Sequence, residues 1–238
     1  MKKRIAVLAA ALLLTLTLAG CGGGANYSFD EENMHLVQFD TPADDAPVAV
    51  VTTNYGVVDF VLFPEEAPVA CENFIELVKQ GFYDGTEFFR IEPEIACIGG
   101  STTTDGLSPT TIYDGQKFEN EYTSNMWAFS GAVGTISDEE GKSDSRFFLI
   151  GNAAITDEYI ELMQSYGFPQ QAIDKFVEVG GVPPFTQRYT FFGQIVAGLD
   201  VVDQIVSLEV NDDQYPTSGP VRIESIQMST YGETKSPS

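Results

Sequence analysis

The sequence predicts a mainly β protein in which antiparallel strands form a barrel and helices cover the sheet. Short runs rich in β-branched and aromatic residues recur between residues 47 and 231, with turn residues between them. Two helical segments fall among these runs, without the regular strand-helix alternation of a doubly wound sheet. Residues 155–181 also show helical periodicity, which predicts a helical insertion between strands.

The first twenty residues predict a signal peptide. Three basic residues precede an apolar run, residues 5–18, that is shorter than the roughly 20 residues of a membrane-spanning helix. The run ends in LAGC, which resembles the lipobox of bacterial lipoproteins, in which the cysteine is lipidated. An ordinary cleaved signal and an uncleaved anchor are the alternatives, but the small residues around Cys21 favour the lipoprotein. We therefore expect an extracytoplasmic protein, anchored to the cell membrane through lipid on Cys21.

Residues 21–46 are glycine-rich and then polar and acidic, which predicts a flexible tether before a domain over residues 47–231. Residues 232–238 are expected to form a disordered tail. The chain has 12 basic and 35 acidic residues, and removal of the signal takes away three basic ones, leaving nine against 35 and a net charge of −26. Such a surface repels nucleic acid, so we expect no nucleic-acid partner.

The first elements of the domain have the clearest patterns. VAVVTT and VVDFVLF flank NYG, which predicts a β-hairpin. In the following segment, PEEAPVACENFIELVKQGFYDG, Pro68 suits a first helical turn. Ala70, Phe74 and Leu77 then recur at helical spacing before Gly81. A helix packed on the sheet is therefore predicted after the hairpin.

The remaining elements continue the strand pattern. Five strands are predicted at TEFFRI, EIACIGG, GAVGTIS, SRFFLIG and RYTFFGQIV. GLDVVDQIVSL then predicts a second sheet-covering helix, and VRIESIQMST predicts a closing strand.

The few cysteine and histidine residues limit which kinds of catalytic or metal site the chain can form. Cys71 and Cys97 lie inside apolar segments, which favours buried free thiols over the disulfide that an extracytoplasmic location would allow. His35 is the single histidine, so a catalytic triad with histidine and a multi-histidine metal site are excluded. The sequence contains no CxxC, GxGxxG or Walker-type motif.

Over residues 47–231 the sequence resembles the cyclophilins, a family of peptidyl-prolyl cis/trans isomerases. TTNYGVVDFVLFPEEAPVACENFIELVKQGFYDGTEFFRI is similar to the family's opening hairpin, helix and catalytic strand; KFENEY, SGAVGTIS, SRFFLIG and YTFFGQIVAGLDVVDQI follow in the family's order. The resemblance implies a closed eight-stranded antiparallel barrel capped by two helices, with the substrate groove on its outer face. It also implies catalysis without a cofactor or metal. We expect a monomer that binds proline-containing segments of extracytoplasmic proteins.

The resemblance implies roles for several residues. Arg90 matches the catalytic arginine, which donates a hydrogen bond to the prolyl nitrogen. That nitrogen becomes an acceptor only when the amide twists, so the donor stabilises the transition state and not the planar ground state. Phe148 matches the phenylalanine of the proline pocket, Tyr189 a nearby position that holds histidine or tyrosine, and Phe185 an apolar lid residue.

Several groove positions depart from the family. Where the family has phenylalanine, methionine and then glutamine, this chain has Ile95, Ala96 and Ile98. One pocket wall is therefore smaller, and the glutamine that usually bonds the arginine and the substrate backbone is missing. Ile136 replaces a smaller residue and is expected to narrow the groove. Arg146 replaces a second groove glutamine; it either binds an acidic peptide or extends its head to solvent.

The missing glutamine leaves the orientation of Arg90 open. Glu92 and Glu94 are nearby carboxylates that could orient Arg90 in place of the glutamine, although acidic residues beside a proline are often simply solvated. Two functions are consistent with these observations. One is a lipid-anchored isomerase, favoured by the presence of both Arg90 and Phe148. The other is a cyclophilin-fold lipoprotein that binds peptides with weak or no turnover, favoured by the altered groove.

Overall fold

The computed structural model describes residues 29–235. The predicted signal peptide, Cys21 and residues 22–28 of the predicted tether lie outside the described residues, as do residues 236–238. Between residues 29 and 235, no helix has the length and apolar character needed to cross a membrane.

The described residues form one antiparallel sheet of nine strands. The strands are β1 Pro47–Thr53, β2 Gly56–Leu62, β3 Arg90–Glu92, β4 Ala96–Gly99, β5 Phe118–Glu119, β6 Ala132–Ser137, β7 Lys142–Ile150, β8 Phe191–Ala197 and β9 Ile223–Thr230. Their spatial order is β3-β4-β7-β6-β8-β2-β1-β9, and the two-residue β5 pairs with β7. The predicted hairpin is β1 with β2, in which Thr53 pairs with Gly56. The mainly β, antiparallel class is confirmed.

The sheet is an open, curled half-barrel, so the expectation of a closed barrel was wrong. β3 and β9 end the strand order and form no ladder with each other; the segment before β3 meets β9 through the isolated bridge between Glu87 and Arg222 and a hydrogen bond from the backbone N–H of Gly85 to the carbonyl of Ile223 (2.8 Å). The outer edge of β3 is occupied by a loop instead, because the backbone N–H of Ile91 donates to the carbonyl of Gln214 (2.8 Å). A strand edge already paired in this way cannot form a ladder with β9.

Five α-helices are present in the described residues. They are α1 Pro68–Lys79, α2 Asp157–Ser165, α3 Gln170–Val179, α4 Leu199–Val206 and α5 Tyr231–Thr234; Val37–Phe39 and Pro183–Phe185 are 3-10 turns. α1 has Pro68 in its first turn, as the sequence predicts, and α4 is the predicted second helix. The predicted insertion consists of α2 and α3.

Two apolar clusters lie on opposite faces of the sheet. α1 and α4 pack against the first, which includes Phe147 at 5.6 Å between ring centroids from Phe74. Phe148, the next residue along β7, belongs to the second cluster with α3 and Trp127. Neighbouring strand residues point to opposite faces, so Phe147 lies in the first cluster while Phe148 faces the other side. The insertion enlarges the second cluster.

Residues 29–46 pack on the domain, which corrects the predicted tether for that part of the chain. Phe29 stacks on Trp127 with ring centroids 4.8 Å apart. The buried amide of Gln38 donates to the carbonyl of Trp127 (3.0 Å) and to Gln194 Oε1 (2.8 Å), and it accepts from the backbone N–H of Trp127 (2.7 Å). The polar composition predicted a solvated linker because these distant partners are not visible in the local sequence.

The prediction of a disordered tail is likewise wrong for residues 232–234, which belong to α5. The backbone N–H groups of Tyr231 and Gly232 donate to the carbonyls of Ala46 (3.0 Å) and Asp44 (2.8 Å). The start of α5 therefore holds the end of the predicted tether, since each segment satisfies backbone groups of the other.

We expect Gln38→Ala to lower the free energy of unfolding by about 1–3 kcal/mol, because the N–H of Trp127 loses its acceptor while it stays buried. Urea unfolding followed by circular dichroism measures this change. Gln171→Ala is a matched control, since Gln171 is exposed. Equal stability of the two variants would contradict the packing of residues 29–46.

Candidate active site

A cavity of about 910 Å³ lies on the face of the sheet that carries Phe148. Strands β3, β4, β6 and β7, the 3-10 turn Pro183–Phe185 and two loops, residues 104–107 and 211–215, contribute to its walls. All eight groove residues expected from the sequence line it: Arg90, Ile95, Ile98, Ile136, Arg146, Phe148, Phe185 and Tyr189.

Three cavity residues and Gly134 form a row across neighbouring strands. Ile98 pairs with Arg90 on one side and with Phe148 on the other, and Phe148 pairs with Gly134. Residues paired across a sheet share a face, so the guanidinium and the phenyl ring open into the same cavity. Two strand spacings separate the backbones of Arg90 and Phe148, a distance of about 10 Å.

Arg90 is held by a carboxylate on its own strand. Arg90 Nε donates to Glu92 Oε1 (2.7 Å), and the other carboxylate oxygen accepts from Gln214 Nε2 (2.5 Å). Arg90 and Glu92 lie on the same side of β3 because they are two residues apart. Glu94, the other carboxylate considered, is exposed and has a φ of 62°. Ile98 pairs with Arg90 across the ladder. As expected, its side chain has no polar atom that could form a hydrogen bond with the guanidinium.

An aromatic box forms the apolar end of the cavity. The Phe148 ring meets Phe185 at 5.6 Å, Tyr189 at 5.3 Å and Phe191 at 5.9 Å between centroids, each edge to face. Phe148 is buried, while Phe185 and Tyr189 are half-buried at the mouth of the box. Such a box suits a small, apolar ring such as that of proline.

The position of the Phe148 ring requires glycine at position 134. A Cβ on Gly134 would lie 2.5 Å from Cζ of Phe148, well inside van der Waals contact. The absence of a side chain at Gly134 therefore makes room for the tip of the ring beside β6.

We expect Gly134→Ala to push the Phe148 ring into the box and to weaken binding of an X-Pro peptide. Overpacking of this kind costs about 1–3 kcal/mol, which corresponds to a rise in KM of roughly two- to tenfold if half of the cost opposes binding. Saturation kinetics and calorimetric titration measure it. An unchanged KM would show that the ring is not part of the peptide site.

Arg146 forms a bidentate ion pair within the cavity wall. Its Nε donates to Asp144 Oδ1 (2.9 Å) and its Nη2 to Asp144 Oδ2 (2.7 Å), and the carboxylate is almost fully buried. The charge of Arg146 is therefore compensated beside Arg90, and its head does not simply extend to solvent. Sequence reasoning missed Asp144 as the partner, although it is two residues away on the same side of β7.

Sequence reasoning also missed other cavity residues. Arg188 lines the cavity with its guanidinium 5.4 Å from the centroid of the Tyr189 ring. Residues 211–215 line the wall beside Arg90. The segment NDDQYP predicts only a loop, and no sequence pattern indicates which strand that loop contacts.

The thiols and the histidine lie away from this site. Cys71 and Cys97 are free and buried, as expected, and burial raises the pKa of Cys71 to about 12 and that of Cys97 further. Both remain neutral thiols at physiological pH. Among residues 29–235 no group of three or more histidine, cysteine or acidic side chains could hold a metal ion. The arrangement offers a held cation beside an apolar box, which suits electrostatic rather than covalent catalysis.

Comparisons with known proteins agree with this geometry. Residues 48–228 match the family described as cyclophilin type peptidyl-prolyl cis-trans isomerase/CLD. A putative peptidyl-prolyl cis-trans isomerase of Staphylococcus aureus is 33% identical over 179 residues, which cover 75% of this chain and 90% of that protein. A putative bifunctional phosphatase/peptidyl-prolyl cis-trans isomerase of Streptococcus pyogenes is 32% identical over 200 residues, which cover 83% of this chain but 42% of that protein.

A solved structure shows the same fold. The cyclophilin type isomerase of Cryptosporidium parvum, crystallised in the presence of the dipeptide Ala-Pro, superposes with a TM-score of 0.61 at 21% identity, covering 77% of this chain and 99% of that one. The family match spans most of the chain, and the sheet order, the two covering helices and the cavity fit it. This chain belongs to the cyclophilin-type peptidyl-prolyl cis-trans isomerases.

Proposed function

We propose that this isomerase acts on X-Pro bonds of proteins outside the cytoplasm, with Arg90 as its electrostatic catalyst. The observation that carries the proposal is the shared row of Arg90 and Phe148 across β3, β4 and β7. With a proline ring in the aromatic box, the prolyl amide would extend along the row toward the guanidinium. The Cryptosporidium parvum isomerase was crystallised in the presence of the dipeptide Ala-Pro, which supports a proline-containing ligand.

The mechanism follows from the electronic structure of the amide. In the planar amide the nitrogen lone pair is delocalised, and rotation must overcome about 18–20 kcal/mol. At the twisted geometry the lone pair is localised and can accept a hydrogen bond from Arg90, so the bond forms only in the transition state. A charge-assisted hydrogen bond contributes about 1.5–3 kcal/mol, or one to two decades in rate. The box supplies the rest by holding the ring while the preceding residue turns.

The proposed location rests on the amino-terminal sequence. A lipid on Cys21 would place the domain at the outer surface of a membrane, close to proteins that emerge from secretion. Phe29 stacks on Trp127, and the path from Cys21 to Phe29 spans eight residue steps, or at most about 29 Å. The domain would thus lie close to the membrane, on a shorter tether than the sequence predicts.

The activity test uses the mature chain with Cys21→Ser and a short Ala-Pro peptide. We expect the cis-to-trans rate to rise in proportion to protein concentration. Saturable peptide binding without acceleration would contradict the proposal and favour the alternative of a peptide-binding lipoprotein. Ile98, which replaces the usual glutamine, and Ile136 at the edge of the cavity are the observations in favour of that alternative.

Location is tested separately with the full chain in a bacterial host. Metabolic labelling with radioactive palmitate should mark the wild-type protein in the membrane fraction and should not mark Cys21→Ala. A labelled variant, or an unlabelled wild type in the culture medium, would contradict the lipid anchor.

A further inference from the structure

We infer that Glu92 and Gln214 are positioning residues that hold Arg90 for catalysis, in place of the glutamine that is missing at Ile98. The inference deepens the proposed function and rests on the role of Arg90 in it. It assigns a catalytic task to a loop, residues 211–215, that no sequence motif marks.

Glu92 is more firmly fixed than the arginine it holds. The side chain of Glu92 is 20% exposed and that of Arg90 is 49% exposed. Both oxygens of the carboxylate are engaged: Oε1 accepts from Arg90, by Nε (2.7 Å) and by Nη2 (2.5 Å), and Oε2 accepts from Gln214. A guanidinium has five N–H donors, so this pair leaves three for a substrate. Glu92 can therefore orient Arg90 without occupying its whole donor set.

Gln214 is in turn fixed by its backbone. Its carbonyl accepts from the N–H of Ile91, the residue between Arg90 and Glu92, and its own N–H donates to the carbonyl of Asn211 (3.0 Å). Gln214 adopts a φ of 60°, which turns the chain back toward β3. Tyr215, the next residue, donates from its hydroxyl to Glu87 Oε2 (2.7 Å). The loop is thus attached at Ile91 of β3 and at Glu87, just before β3, next to the amide that contacts Glu92.

Positioning matters because Arg90 is long, half-exposed and opposite an apolar residue. Without a partner, its guanidinium would sample many rotamers, and few of these would place a donor at the prolyl nitrogen. A misplacement of about 1 Å in an active site can cost a hundredfold in rate. Ile98 lies directly across the ladder from Arg90, where a polar side chain would reach the guanidinium, but it offers no acceptor. Glu92 supplies the acceptor from the same strand.

The test compares steady-state kinetics of single variants in the mature chain with Cys21→Ser. We expect Glu92→Ala to lower kcat about tenfold and Gln214→Ala about threefold, with KM within about twofold of wild type, because orientation matters in the transition state. Glu92→Gln, which keeps an acceptor of the same length, should stay within about threefold of wild type. Glu94→Ala is the matched control: it removes an exposed carboxylate two residues away that does not line the cavity.

A second-site substitution separates positioning from a structural role. In the Glu92→Ala background, Ile98→Gln supplies an amide across the ladder from Arg90, and we expect it to restore at least about a third of the lost rate. The side-chain N–H resonance of Arg90 should also be visible by NMR in wild type, weakened in Glu92→Ala and recovered in the double variant.

The outcomes distinguish the two proposals. If Arg90→Ala is slow but Glu92→Ala keeps the wild-type kcat, the positioning inference is overturned and the proposed function stands. If Glu92→Ala is slow and Ile98→Gln does not restore either the rate or the resonance, positioning is also overturned, in favour of a structural role. If wild type does not accelerate isomerisation at all, both proposals fail.

Discussion

Replacing Arg90 with alanine is expected to lower kcat/KM for X-Pro isomerisation about ten- to a hundredfold. The reason is the loss of a charge-assisted hydrogen bond that forms only at the twisted amide, worth about 1.5–3 kcal/mol where 1.36 kcal/mol is tenfold in rate. Since the side chain is 49% exposed, the free energy of unfolding should hardly change. Coupled-protease or NMR exchange assays measure the rate, and circular dichroism verifies the fold.

Two further substitutions show which property of Arg90 the Arg90→Ala variant lacks. Arg90→Lys keeps the charge but provides a compact ammonium that cannot span both Glu92 and the substrate, so an intermediate rate is expected. Arg188→Ala removes another guanidinium from the same cavity, beside Tyr189 rather than beside Ile98. We expect its effect to appear in KM. A wild-type kcat in Arg90→Ala would mean that the aromatic box alone catalyses the reaction.

Trp127→Ala is expected to cause a large loss of stability, about 3–5 kcal/mol. The indole is fully buried, and it stacks on Phe29 and meets Phe168 at 5.4 Å between ring centroids. Its Nε1 donates to the carbonyl of Ser124 (2.8 Å). One side chain thus joins the amino-terminal segment to the insertion, and its removal leaves a cavity between them.

Urea unfolding and limited proteolysis test this effect. We expect faster cleavage within residues 29–46 and 155–181, because both segments pack on the indole. Trp127→Phe, which fills part of the space, should lose less stability. Val177→Ala is the control on the insertion, since Val177 is exposed and should change stability by no more than about 0.5 kcal/mol. An equal loss in the control would show that the insertion is unstable by itself.

The sequence determined those features that depend on neighbouring residues. The first hairpin and α1 follow from alternation, helical spacing and Pro68, and the structure has them with nearly the predicted bounds. The resemblance to the family also identified Arg90 and Phe148, which the ladders bring into one row. Side-chain spacing along a strand or helix sets which face is buried, so a short segment contains that information.

Only the tertiary structure decided which polar groups meet. Gln38 bonds a tryptophan 89 residues away, and Gln214 contacts Glu92 across 122 residues. The half-barrel stays open for the same reason, because a distant loop occupies the edge of β3. A buried polar group must find a partner, but its chemistry does not specify where in the chain that partner lies. Local periodicity therefore predicts the strands, the helices and which residues share a face, whereas the orientation of Arg90 depends on how the chain folds back on itself.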